Sequence, residues 1–180
     1  MRQLILIRGL SGSGKTTLAD LICDGNENRE AISATDYFYT EDGDYVFEHD
    51  AVKQSNDWCV KNTVQLMEEN EVVVVHNTFT RKWECQPYFD MASEKDFDIH
   101  IISLYDGGLN DTALSDRNAH NVPAHVIKKQ RQRWDLDVNP NRKSRPPRRN
   151  IAPPKFIPNP YYNWNTPAQN KGRGGYKNRY

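Results

Sequence analysis

The stretch GLSGSGKT, residues 9–16, decides the fold because of what lies on either side of it. Residues 2–8 are rich in Leu and Ile and alternate little, as in a strand buried on both faces of a parallel sheet. Residues 16–23 fit a helix. Gly9, Gly14, Lys15 and Thr16 satisfy the pattern GxxxxGK(S/T) between that strand and that helix, the context in which the pattern forms a phosphate-binding loop. A chance glycine-rich turn is the alternative interpretation.

The residue types of this loop suit a bound triphosphate. Glycines let the backbone curl until several N–H groups point inward, and the N-terminus of the following helix adds partial positive charge. Lys15 is expected to reach the β- and γ-phosphates, and the Thr16 hydroxyl to ligate Mg²⁺. We therefore predict ATP and Mg²⁺ as cofactors. The predicted nucleotide-binding residues of the loop are Gly9, Ser11, Gly12, Ser13, Gly14, Lys15, Thr16 and Thr17.

Strands and helices alternate beyond the loop. The patterns predict strands over 30–34, 71–77 and 97–105, and helices over 51–69, 82–93, 110–118 and 123–135. Such alternation is typical of an α/β sandwich built from right-handed βαβ units. Within 51–69 one helical stripe is expected to face the core: Val52, Cys59, Thr63, Leu66 and Met67.

Charge divides the 180-residue chain, although its formal net charge is zero. Residues 138–180 hold ten Lys and Arg and no Asp or Glu, which leaves residues 1–137 near −10. The same segment holds eight of the ten prolines and cannot bury enough apolar surface to order itself. We predict one domain over residues 1–137, with a solvated acidic surface, and a disordered basic tail over 138–180.

The three cysteines indicate a reducing environment. They are odd in number, widely spaced and without a CxxC pair, so neither a disulfide framework nor a zinc site is indicated. The apolar run LILI is too short for a signal sequence or a membrane span. We expect an intracellular protein, cytoplasmic or nuclear, without a membrane partner; the sequence indicates no particular protein partner.

The tail combines the residue types that bind unpaired nucleic acid. Its basic residues are interleaved with six aromatic residues: Phe156, Tyr161, Tyr162, Trp164, Tyr176 and Tyr180. Lys and Arg can neutralise phosphates while aromatic rings stack on bases, so we predict single-stranded RNA or DNA as a partner. A nuclear address in RKSRPPRR (142–149) and a solubilising tail are the alternatives.

Four segments together resemble one family of kinases. They are the phosphate loop, TEDGDY (40–45), NTFTRKWECQPY (77–88) and DRNAHNVP (116–123). Over residues 3–135 they resemble the kinase domain of phage polynucleotide kinase and the small animal and viral ATP-binding proteins related to it. The resemblance implies a kinase-type P-loop NTPase fold, a parallel sheet flanked by helices. It also implies transfer of the γ-phosphoryl group of ATP to a polynucleotide 5′-hydroxyl.

Two positions depart from the pattern of that family. The resemblance places two adjacent carboxylates after the second strand, the first being the general base, but the chain has Thr35 and then Asp36. Threonine is not basic near neutral pH, so Asp36 is the candidate base, with a helix cap or loop anchor as its alternative role. After the third strand the family has an acidic residue where the chain has His76. His76, Asn77 and Thr78 are the predicted acceptor-binding residues.

Arg117 matches the family's lid arginine, which clamps the donor phosphates, because a guanidinium presents a planar fork to phosphate oxygens. The predicted catalytic residues are therefore Lys15, Asp36 and Arg117. Most basic residues of the last predicted helix are expected to be solvated, and Trp83 to pack in the core. The leading function is a polynucleotide 5′-hydroxyl kinase. The alternatives are an RNA-binding module that binds or slowly hydrolyses ATP, and a kinase for a small hydroxyl metabolite.

Overall fold

The apolar run before the phosphate loop lies inside a four-stranded sheet in the computed structural model, which describes residues 2–139. All paired strands are parallel, and the strand order is β2-β3-β1-β4. The strands are β1 (Gln3–Gly9), β2 (Arg29–Ile32), β3 (Val72–Asn77) and β4 (Asp98–Tyr105). The central strands read as continuous apolar runs because both of their faces are covered. The predicted α/β fold with a parallel sheet is confirmed.

Helices cover the two faces of the sheet through separate apolar clusters. On one face, α1 (Lys15–Cys23) packs on Ile7 and Val74. On the other, α2 (Val52–Glu69) and α3 (Lys82–Glu94) pack on Leu6 and Val75, which alternate with the first pair along their strands. No helix within residues 2–139 is long and apolar enough to cross a membrane.

Two short helices form a third cluster beside the phosphate loop. They are α4 (Asp111–Arg117) and α5 (Ala124–Gln132), and Leu114 and Ile127 from them bury Leu10 of the loop. Arg131 on α5 pairs with Asp106 and with Asp111 Oδ1, the latter at 2.8 Å. These ion pairs fix α5 against the start of α4. Arg131 is therefore partly buried, whereas Lys128, Lys129 and Arg133 are exposed, as expected for most basic residues of this helix.

The second strand is shorter than predicted. It ends at Ile32 instead of residue 34, because Ser33 caps a 3-10 helix over Ala34–Phe38. A second 3-10 helix, His49–Ala51, leads into α2. Two core predictions are wrong: Val52 is 39% exposed and Trp83 is 71% exposed. Cys59, Thr63 and Met67 of the predicted stripe are buried.

Helix α5 ends at Gln132, three residues earlier than predicted, and the segment after it returns to the sheet. Arg8, only 1% exposed, lies with its guanidinium 3.8 Å from the ring centre of Trp134. Its Nε donates to Phe79 O at 3.0 Å and its Nη2 to Asp135 O at 2.9 Å. Val138, which we assigned to the tail, is buried in the cluster beneath α2 and α3. The rest of the predicted tail, from residue 140, lies outside the described residues.

Candidate active site

The phosphate loop has the backbone that its glycines predict. Gly12 and Gly14 have φ of 81° and 92°, in the left-handed region that L side chains rarely adopt. A Cβ on Gly12 would lie 2.1 Å from Leu114 O, and a Cβ on Gly9 would lie 2.4 Å from Ser13 Oγ. Glycine is therefore needed at position 12 for conformation and for close packing on α4.

Lys15 curls back over the loop. Its Nζ donates to Leu10 O at 3.0 Å. Burial lowers the pKa of the Lys15 amine from 10.5 to about 8, because the charged form loses hydration. A phosphate group beside the amine would raise this pKa again and stabilise the ammonium form. The residue thus has the position and the electrostatic reason to pair with an anionic ligand.

The loop also contains an unsatisfied polar atom. Ser13 Oγ is the one buried side-chain oxygen or nitrogen within residues 2–139 that has no hydrogen-bond partner. Such atoms cost free energy unless a ligand or water binds them. A Cβ on Gly14 would meet no atom within 4 Å, so the space beside the loop is open at that point. Thr16 and Thr17 follow in the first turn of α1.

A glutamine that we did not predict holds the loop in place. Gln130 on α5 accepts from Ser11 N–H at 3.0 Å and donates through Nε2 to Ser11 Oγ at 3.0 Å. Because α5 also fixes the start of α4, the loop, α4 and α5 form one packed unit. Arg117 is the last residue of α4, one turn beyond Leu114, and its side chain is exposed. The packing thus brings the predicted clamp to the same edge of the sheet as the loop.

The end of β2 is a hydrogen-bonded cap. Ser33 N–H donates to Asp36 Oδ2 at 2.7 Å, and Thr35 N–H donates to Ser33 Oγ at 3.2 Å. Asn77 Oδ1 accepts from Ala34 N–H at 2.8 Å, which ties the end of β3 to this cap. Asp36 therefore has a capping role in the structure, as one of our two interpretations expected.

The three predicted acceptor-binding residues are not on one surface. Asn77 follows Val73 and Val75 on the face of α2 and α3, whereas His76 follows Val74 on the face of α1. His76 is 7% exposed and Asn77 is 9% exposed. Thr78 is partly buried, and its carbonyl accepts from Gly9 N–H at 3.3 Å. Thr78 thus adjoins the first residue of the phosphate loop.

An aromatic contact joins the loop after β2 to the segment after α4. Tyr39 and Tyr45 form an isolated antiparallel bridge, and the Tyr39 hydroxyl is 3.1 Å from His120 Nε2. The rings of Tyr45 and His120 are 4.3 Å apart. The contact therefore links the loop that follows β2 to the segment that follows α4. The motif DRNAHNVP identified this segment in the sequence, but no sequence pattern predicted the contact of His120 with Tyr39 and Tyr45.

Residues 2–139 contain no cluster of three or more His, Cys, Asp or Glu side chains that could hold a metal by itself. A magnesium ion in a P-loop site is bound through one or two protein ligands and the phosphates, so it needs no such cluster. Thr16 is the predicted protein ligand.

A family model described as an AAA domain matches residues 4–136. The chain belongs to this family. With the sheet and loop described above, residues 2–139 form a P-loop kinase-like domain. Human NEDD4-binding protein 2 is 29% identical over 97 residues, which are 53% of this chain and 5% of that protein. The chain therefore spans about one-twentieth of this relative.

Two solved structures are similar to this fold. The Pnkp1/Rnl/Hen1 RNA repair complex contains a chain with a TM-score of 0.58 and 18% identity, covering 73% of this chain and 43% of that chain. A gluconokinase from Sinorhizobium meliloti 1021 has a TM-score of 0.52 and 16% identity, covering 78% of this chain and 80% of that chain. At these identities the likeness shows the fold alone.

Proposed function

We propose that this domain transfers the γ-phosphoryl group of ATP to the 5′-hydroxyl of a polynucleotide. The phosphate loop is the main support, since its glycines adopt the left-handed backbone of the motif, and a phosphate would raise the pKa of the Lys15 amine that burial lowers. The acceptor is supported by the segments that resemble polynucleotide kinases and by the basic, aromatic tail. One structural neighbour is part of an RNA repair complex, which agrees with this choice.

The donor side of the reaction follows from the loop. Backbone N–H groups of the loop and the Lys15 amine hold the phosphates. Magnesium, bound through Thr16 and the phosphates, would neutralise charge on the β- and γ-phosphate oxygens. Arg117, at the end of α4, would stabilise the charge that spreads over the phosphoryl group in the transition state.

On the acceptor side, the 5′-oxygen forms a bond to the γ-phosphorus as the bond from that phosphorus to the β–γ bridging oxygen breaks, and ADP leaves. The hydroxyl proton passes to a base, and Asp36 is the candidate. Asp36 Oδ2 already accepts from Ser33 N–H, which fixes the orientation of the carboxylate. To act as base, the carboxylate must receive the proton without losing that hydrogen bond.

The capping hydrogen bond also favours a second candidate function. If Asp36 serves only to end β2, the domain binds ATP and hydrolyses it slowly, and the basic tail binds RNA. Asn77 supports this alternative, because its amide oxygen is engaged by Ala34 N–H within the cap.

Transfer of radiolabelled γ-phosphate decides between the two candidates. The full chain is incubated with ATP and Mg²⁺ and with RNA, DNA or no oligonucleotide bearing a 5′-hydroxyl. Labelled oligonucleotide is expected from wild type and not from Lys15→Ala, which should also abolish binding of a fluorescent ATP analogue. Lys61→Ala, at an exposed lysine on α2, is the matched control and should behave as wild type. Tight ATP binding without labelled oligonucleotide would refute the kinase and leave the binding module.

A further inference from the structure

An exposed apolar surface follows the end of β2. Tyr37, Val46, Phe47 and Val52 are 40%, 51%, 54% and 39% exposed. Buried Phe38 connects the two rings, with centroids 5.5 Å from Tyr37 and 5.1 Å from Phe47. We call residues 37–52 the acidic–aromatic face. Large side chains exposed together mark interaction sites more often than scattered ones do.

The negative charge of this face disfavours nucleic acid as its partner. Residues 30–52 contain no Lys or Arg, and the acidic residues within the face are Glu41, Asp42, Asp44, Glu48 and Asp50, all exposed. Carboxylates at this density repel the phosphates of a nucleic acid. The face therefore fits a partner that is basic and carries aromatic or apolar side chains.

The chain itself contains a segment of that chemistry. Residues 140–180 hold ten Lys and Arg, no Asp or Glu, and the six aromatic residues named above. The described chain ends close to the face, because buried Val138 lies in the apolar cluster against which Trp58 packs, and the Trp58 ring is 6.0 Å from the ring of Tyr37. Asp135 N–H also donates to Thr80 O at 2.8 Å, just after β3, the neighbour of β2 in the sheet.

The segment is long enough to extend well beyond the point where the described chain ends. Adjacent strands are about 4.8 Å apart, and an extended residue spans about 3.3 Å. RKSRPPRR begins three residues after Asn139, so an extended chain would let its basic residues reach roughly 10–35 Å from the point where the described chain ends. Such a reach exceeds the spacing between neighbouring strands.

We propose that residues 140–180 dock on the acidic–aromatic face of their own chain. Lys and Arg of the segment pair with the carboxylates, and its aromatic residues cover Val46 and Phe47. The docked segment lies next to Asp36, at the edge of the sheet where the phosphate loop also opens. Salt weakens the ion pairs, so docking is strongest at low ionic strength.

Zero-length carbodiimide cross-linking of the full chain tests this proposal, because it joins a lysine to a carboxylate only when they touch. Peptide mass spectrometry is expected to find Lys143 or Lys155 joined to residues 41–50 at low salt. Few links are expected to Glu69 and Glu71, which are exposed at the opposite edge of the sheet. A mixture of isotope-labelled and unlabelled chains shows whether each link lies within one molecule.

The double variant Val46→Ser, Phe47→Ser keeps every carboxylate, so any loss of links reports the apolar contact. The yield should fall about threefold or more, since burying even part of these side chains changes an equilibrium constant by that factor. Leu21→Ser is the matched control, because Leu21 is 68% exposed between Asp20 and Asp24 on α1, and its yield should not change. Circular dichroism melts check that both variants fold.

Three results would overturn the proposal. The first is an even spread of links over all exposed carboxylates, and the second is an unchanged yield in the double variant. The third is another occupant: links only between labelled and unlabelled chains would assign the face to a second copy. Ultraviolet cross-linking of single-stranded RNA to peptide 37–52, without links to the tail lysines, would assign it to nucleic acid.

Discussion

The affinity for ATP is expected to fall about tenfold between pH 7 and pH 9, because of Lys15. Burial lowers the pKa of this amine from 10.5 to about 8 in the nucleotide-free protein. A bound triphosphate places negative charge beside the amine and raises the pKa again. Binding above pH 8 therefore requires the uptake of a proton.

The magnitude follows from the two protonation states. Below pH 8 the amine is charged before and after binding, so the affinity does not depend on it. Above pH 8 each pH unit weakens binding by up to tenfold, or about 1.4 kcal/mol, until the pKa of the complex is reached. The pH dependence of folding stability has the opposite sign. A depressed lysine pKa disfavours the folded, nucleotide-free chain below pH 8, and this penalty fades as the pH rises to 10.5.

A fluorescent ATP analogue titrated at pH 7, 8 and 9 with constant Mg²⁺ measures the effect. The phosphates themselves titrate near pH 6, so their charge changes little over this range. Lys15→Arg is the matched control, because arginine stays charged throughout, and its affinity should not vary with pH. A wild-type affinity that is equal at pH 7 and pH 9, or the same tenfold fall in the arginine variant, would show that the Lys15 amine does not cause the pH dependence.

Three further predictions concern the loop, the base and the tail. Gly14→Ala should lower the free energy of unfolding by about 1–2 kcal/mol, because of its left-handed backbone alone. Gly12→Ala should lower the free energy of unfolding by about 1–3 kcal/mol more, because its Cβ meets Leu114 O. Equal losses in urea denaturation would contradict this. Asp36→Asn should slow transfer to a 5′-hydroxyl by roughly 10²–10⁴-fold with ATP affinity unchanged if Asp36 is the base, and an unchanged rate would assign Asp36 to the cap only. Truncation after Asn139, which retains buried Val138, should preserve ATP binding and weaken binding of single-stranded RNA in a salt-dependent way; equal RNA affinity at low salt would exclude the tail.

Local pattern was enough to predict the phosphate loop and the elements beside it. The Leu and Ile run, the glycines and Lys15 are all within one short stretch, and each acts through its own backbone or side chain. Gly12 and Gly14 indeed adopt the left-handed conformation that favours glycine. The alternation of strands and helices predicted the parallel sheet for the same reason, since each element reads as a separate pattern.

Helical periodicity was a less reliable guide to which side chains are buried. Val52 continues a helical stripe, and Trp83 has apolar neighbours, yet both side chains are exposed. Periodicity shows that residues share a face, but whether that face is buried over its whole length depends on where the neighbouring elements begin and end.

Residues 3–16 thus specify the strand, the phosphate loop and Lys15 without reference to the rest of the chain, because their conformation and chemistry are local. How the loop is supported depends on tertiary contacts. Gln130 bonds to Ser11 across 119 residues, and Arg8 lies against Trp134. Asp36 is engaged by Ser33 N–H, and Asn77 by Ala34 N–H. Such pairings depend on packing between distant segments, which bring polar groups together where water is excluded, and no local pattern specifies which groups meet.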